Sequence, residues 1–251
     1  MNETDKYLAL VGHHGNTLSR SYLLIYRETI SALIDNGENT SRNNAKEQEV
    51  TNEGTYLYRQ YETQSFHKVL QSFWMGHHDR CFHYSEKLLE TKECGKHHRL
   101  VTLFYHGLNS FVLLRKGKYT KRSSQIYKVA HKELKEAEEM SKWNYRNKVH
   151  LIEAEKYSYQ GLNKEARSSY GAAIMAARSS KFVHEQGLAC ELSALHCQRN
   201  GDFDQAMKFF SQASICYSKW GSSLKVEAVS HEIQQLSVGA YDSVEQISGS
   251  T

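Results

Sequence analysis

The stretch Gly161-Leu-Asn-Lys-Glu-Ala166, continued by Tyr170 and Ala173, returns forty residues later as Gly201-Asp-Phe-Asp-Gln-Ala206, continued by Phe210 and Ala213. In each copy the glycine can end a helix in a tight turn, because only glycine takes a positive φ without steric cost. The alanine five residues on and the aromatic four beyond it share one face of the following helix. A small residue beside a large one lets the preceding helix come close. An earlier copy begins at Gly76, with Cys81, Ser85 and Leu88 at the corresponding spacings. Units of this kind bury their apolar faces only against neighbours, so the pattern predicts helical hairpins stacked in series.

The rest of the chain agrees. It has 251 residues and no proline, where average usage would give about 12. Helix interiors exclude proline, whereas sandwiches and α/β enzymes use it freely in turns, so the composition points to an all-α fold. Apolar residues recur at helical spacing, as in Phe66, Val69, Leu70, Phe73 and Trp74, or Ile126, Ala130, Leu134 and Ala137. The spacing predicts helices over 17–35, 55–75, 78–91, 97–115, 119–142, 147–160, 163–179, 183–200, 202–218 and 221–236. The implied organisation is an N-terminal helical part (1–35), a flexible loop rich in Asn and Glu (36–55), helical repeats (56–236) and a Ser- and Gly-rich disordered tail (237–251).

Charge and hydropathy exclude several functions. Lys and Arg number 32 against 28 Asp and Glu, with no basic run able to hold a phosphate backbone, so no nucleic acid is expected as a partner. The mean hydropathy is −0.66, and the richest apolar run, Leu100 to Leu114, is broken by His106, Gly107, Asn109 and Ser110. No membrane span is expected. The five cysteines are scattered, and no basic-then-apolar leader precedes them, which implies a reduced, cytoplasmic protein.

The Gly, small, aromatic, Ala pattern resembles tetratricopeptide hairpins, with helices longer than the 34-residue unit allows. That resemblance implies an α-solenoid of antiparallel hairpins. Leu151-Ile-Glu-Ala-Glu-Lys156, Phe182-Val-His-Glu-Gln-Gly-Leu-Ala-Cys-Glu191 and Cys216-Tyr-Ser-Lys-Trp-Gly-Ser-Ser-Leu-Lys-Val226 are similar to the helical-repeat segment of large multidomain signalling ATPases. The likeness covers Lys148 to Leu236 and continues more weakly from Tyr22 through Phe73-Trp74-Met75-Gly76. In that family a serine/threonine-kinase-like domain and an AAA-type ATPase precede the repeats, and a sensor histidine kinase often follows. This chain departs from it at Gly187 and Ser222, where relatives usually carry Ala. It also has no G-x-x-x-x-G-K-[ST] and no kinase H-R-D or D-F-G, so the family's catalysis does not carry over.

Candidate chemistry is sparse. The fourteen histidines include a cluster of zinc-ligand types, His77, His78, Asp79, Cys81 and His83 with Cys94, His97 and His98 beyond, yet no C-x-x-C pair. Surface histidines in a turn explain it better than a metal site, and no metal or cofactor is expected. His184-Glu185 and His231-Glu232 lack the second histidine of H-E-x-x-H. His131-Lys-Glu-Leu-Lys135 sits on a helix as a phospho-accepting histidine would, and carries the alternative reading of a phosphotransfer or metal-binding helical-bundle enzyme. Cys190 and Cys197 are seven apart on one helix, about 10 Å along its axis, too far for a disulfide.

There remains the groove. The first helix of each hairpin lines the concave side of a tetratricopeptide-like stack, which places Lys148, Glu155, Ser158, Tyr159, Glu191, Gln198 and Arg199 on a wall able to hydrogen-bond a peptide. The expected function is a non-catalytic interaction or regulatory module, its partner a protein or the adjacent domains of a larger signalling polypeptide. By the resemblance, it couples an ATPase region to a signalling output.

Overall fold

The computed structural model describes residues 27, 29–32, 34, 54–91 and 94–248, with the backbone alone over 54–60 and 238–248. Among them lie nine long helices: α1 (Gly54–Trp74), α2 (His78–Leu89), α3 (Lys96–Arg115), α4 (Thr120–Met140), α5 (Lys142–Tyr159), α6 (Asn163–Ser179), α7 (Val183–Arg199), α8 (Phe203–Trp220) and α9 (Ser223–Ser248). Residues 29–32 are helical as well, and the described residues contain no strand. The fold is all-α. No helix among the described residues is long and apolar enough to cross a membrane. The expected N-terminal helix over 17–35 and the loop over 36–55 fall almost wholly outside the described residues. The chain divides into two compact units, Met1–Ala130 and His131–Thr251, with the division inside α4.

In the first unit α1, α2 and α3 pack on one another. The apolar run that opens the question of a membrane becomes the central helix: Leu103, Phe104, Leu108, Phe111 and Leu113 are all at most 3% exposed. A helix apolar on every side must be enclosed on every side. Phe82 of α2 packs with Leu113 and Ile126, and the Tyr119 ring stacks on Phe82 at 4.3 Å. Two of the polar interruptions of the run, Asn109 and Ser110, are bonded internally. Asn109 donates to the His78 carbonyl at 2.9 Å, and Ser110 returns its hydroxyl to the His106 carbonyl.

In the second unit each helix from α5 to α9 packs on the next, and α5 also touches α7. The repeated positions take the places their spacing predicts: Ala166, Ala173, Ala206, Phe210 and Ala213 are fully buried and Tyr170 nearly so. In the earlier copy Cys81, Ser85 and Leu88 are equally enclosed. Gly161 and Gly201 both adopt φ 74°, and the chain reverses on them. The Leu162 amide donates to the Tyr157 carbonyl and the Asp202 amide to the Cys197 carbonyl, both at 2.9 Å, satisfying helix ends that would otherwise be orphaned. The turn into α7 has the same pattern, Phe182 N–H to the Ala177 carbonyl, but its left-handed residue is Lys181 at φ 59°.

Two boundaries differ from the sequence reading. Helix α5 begins at Lys142 rather than 147, because Lys142 to Arg146 are mostly exposed and give no apolar periodicity to read. The residues after 236, expected as a disordered tail, continue α9 as helix to Ser248. Leu236, Ala240, Val244 and Ile247 keep a helical spacing there, and no proline interrupts it.

Candidate functional site

The expected groove wall is largely structural cement. Lys148 is 5% exposed and Glu155 1%, so neither lies on an open wall, which corrects the sequence reading. Lys148 Nζ stands 2.7 Å from Glu185 Oε2, donates to the Asn144 carbonyl at 3.0 Å and lies over the Phe182 ring. Asn147 donates to the same carboxylate oxygen. A cation taken out of water needs a full set of such partners, and these residues supply one between α5 and α7. Glu155 accepts from the Tyr170 hydroxyl of α6.

The other wall residues divide similarly. Ser158 meets His196 Nδ1 at 2.9 Å and Arg199 Nη2 at 3.2 Å, again between α5 and α7. Glu191 accepts from the Tyr217 hydroxyl at 2.5 Å and from Lys225 Nζ at 2.8 Å, joining α7 to α8 and α9. Gln198 is half-buried, while Tyr159 and Arg199 are exposed. Sequence spacing placed these residues on the correct helices, but not the partners that consume them: Glu185, Tyr170, His196 and Tyr217. Those partners lie 15 to 38 residues away on other helices, beyond any local pattern.

The zinc-type cluster is dispersed. His78 Nδ1 pairs with Asn109 Oδ1 at 2.8 Å, Asp79 with Lys118 at 2.8 Å, and His98 with Glu62 at 2.8 Å while stacking on Phe66. Among the described residues no three His, Cys, Asp or Glu side chains group so as to hold a metal. His131 Nε2 is 3.0 Å from Glu153 Oε1, and His150 Nδ1 is 3.4 Å from the other oxygen of that carboxylate. Hydrogen bonds from both histidines hold the Glu153 carboxyl well below the usual range. The five cysteines are free thiols, and burial pushes Cys81 and Cys190 up to about 12. A thiol held protonated is a poor nucleophile.

A different feature is open to solvent. At the start of α5 and the end of α6 lies an open cavity of about 360 Å³, lined by Lys142, Trp143 and Arg146 from α5 and by Ala172, Met175, Ala176 and Ser179 from α6. Ser180 completes the lining and donates its hydroxyl to the Trp143 carbonyl at 2.8 Å. Trp143 is 56% exposed and Met175 58%, unusual for side chains of this size. Their position escapes a sequence reading that ends one helix at 142 and starts the next at 147, since Trp143 and Arg146 then fall between helices. Further large apolar side chains, Tyr159, Phe203 and Ile215, are also exposed on this unit.

Compared with protein-family models, with curated proteins and with solved structures, the chain matches none.

Proposed function

We propose that this chain is a non-catalytic protein-interaction module, a tetratricopeptide-like stack of helical hairpins serving a signalling polypeptide. The observation that carries the reading is the division of labour in the second unit. Its buried charged side chains Lys148, Glu155 and Glu185 are consumed in bonds between helices, while Trp143, Tyr159, Met175, Phe203 and Ile215 are exposed. Exposed aromatic and Met side chains are the residues that interface cores favour, and their desolvation by a partner is favourable. The forty-residue repeat supports the stacked-hairpin architecture. The resemblance to the repeats of signalling ATPases supports the further role of coupling an ATPase region to an output, through small shifts of one hairpin against the next when a partner binds.

An antibody raised against residues 182–226 tests that coupling on lysate of the source cells. A band several times heavier than 28.9 kDa is expected. A band at 28.9 kDa would refute coupling within one polypeptide. The phosphotransfer alternative rests on His131, whose ring faces Glu153 across α4 and α5. It requires acid-labile phosphate on that histidine after incubation with ATP, and the interaction reading predicts none.

A further inference from the structure

The second unit contains its own comparison for the cavity between α5 and α6, because the next hairpin repeats the same backbone forty residues on. At the position of Ser180 the next hairpin has Trp220, whose ring stacks on His184 at 5.4 Å. At the positions of Lys142 and Arg146 it has Phe182 and Gln186, and at Ala172 it has Gln212. The next hairpin thus carries no cation at the positions of Lys142 and Arg146, although Lys219 stands at the position of Ser179, and it has the larger Trp220 at that of Ser180. The first hairpin lines it with Trp143, Met175 and two alanines and adds the cations Lys142 and Arg146.

The chemistry of the open copy is asymmetric. Its walls are an indole, a thioether and two alanine methyls, and no carboxylate lines it. Arg146 Nε lies 3.3 Å from Glu138 Oε1, whereas no carboxylate of the described residues comes within ion-pair range of Lys142. The first turn of α5 holds no acidic residue either. An apolar hollow lined by Lys142, without a carboxylate partner among the described residues, and by Arg146, paired with Glu138, complements an apolar group flanked by negative charge. The hollow is too open to enclose a small ligand, which pockets bury over most of its surface. It suits a side chain presented from an external backbone, which seats its apolar end while flanking residues remain at the rim.

We infer that this cavity docks an acidic segment of a partner protein, with one large apolar side chain between Trp143 and Met175 and its neighbouring carboxylates on Lys142 and Arg146. This rests on the reading of the chain as an interaction module, but it is tested by direct titration rather than by finding the natural partner.

The probes are capped hexapeptides in which acidic residues flank one Phe, Trp, Leu or Met, a matched set with Ala at that position, and a matched set with Lys replacing the acids. Binding to the full chain is read from the indole N–H signal of Trp143 and the methyl signal of Met175, with the Trp220 indole as the control for an intact fold. The expected result is saturable movement of the first two signals by acidic apolar peptides, weakened at least about tenfold by the Ala replacement and by Lys142→Glu. Ala172→Gln, which installs the residue of the next hairpin, should weaken binding similarly, and it keeps the test valid if the charge reversal disturbs folding. Failure of every acidic apolar peptide to move Trp143 and Met175, or equal binding of the Lys set, would overturn the inference. Peptide binding without any cellular partner would instead refute only the broader reading.

Discussion

At Lys181 the backbone adopts φ 59°, in a turn where the equivalent position of the next hairpin is Gly221 at φ 86°. A side chain in that region costs roughly 1 kcal/mol, because its Cβ crowds the adjoining carbonyl. Lys181→Gly is therefore expected to raise stability by up to about 1 kcal/mol, reduced by the extra freedom glycine gives the unfolded chain. Urea unfolding of the two proteins checks this. Gly187 poses the opposite case. A Cβ built there would lie 2.8 Å from Tyr217 Cε1 and 3.2 Å from Cys216 Cβ, so α8 sits closer to α7 than an alanine permits. Gly187→Ala, the residue the resembling family usually carries, should destabilise by about 1–3 kcal/mol through overpacking, and the thermal midpoint should fall accordingly. The other departure has its own cause. Ser222 precedes α9, and its hydroxyl accepts from the Lys225 amide at 3.4 Å, a cap that alanine cannot provide.

Between elements, the ion pair most withdrawn from solvent on both sides among the described residues is that of Lys148 on α5 and Glu185 on α7, with side chains 7% and 6% exposed. Removing one partner strands a charge away from water. Glu185→Ala is expected to cost about 3–5 kcal/mol, and adding Lys148→Met should recover much of that loss, because an apolar side chain needs no partner. Equilibrium unfolding of the two single variants and the double variant measures the coupling. The same pair marks where sequence reading succeeds and fails. Helix α6 is read to the residue because its apolar face and the glycine before it agree. Lys148 and Glu155 are read as groove residues because a charged side chain on a helix is ordinarily solvated, and nothing local reveals a partner on another helix. The left-handed Lys181 turn is invisible for a related reason, since the signal for such a turn is glycine and the residue here is not one. Lys142 to Arg146 carry a helical backbone without an apolar stripe, so the hollow they help line has no trace in the periodicity.

At the scale of the whole molecule, the two units hold titratable groups that make it sensitive to acid. In the first unit burial, together with the nearby His98, lowers His67 to about 4. Burial likewise lowers His106, only partly opposed by Glu86. Burial raises the Glu86 carboxyl, but hydrogen bonds from His106 and Arg122 outweigh it and hold the group at about 2. A histidine whose folded pKa is depressed refuses a proton that the unfolded chain accepts. Stability is thus complete above about pH 6.5 and declines as pH falls toward 4, by an amount on the order of 3 kcal/mol from His67. The depressed Glu86 extends the decline from about pH 4.5 toward 2. Urea midpoints measured at pH 7.5 and pH 5 should therefore differ more for the wild-type chain than for His67→Gln, and an unchanged difference would contradict the assignment.

The central claim, that the chain acts by binding a protein through its exposed apolar residues, is tested most directly by quantitative capture from the source cells. The bait is the full chain, compared with Tyr159→Asp, Met175→Asp, Phe203→Asp and Ile215→Asp, each confirmed to melt like the wild type. The account predicts a partner held in stoichiometric amount by the wild-type chain and lost with at least one of these exposed-site variants. Capture of the same proteins by all five baits, or of none by the wild type, would contradict it.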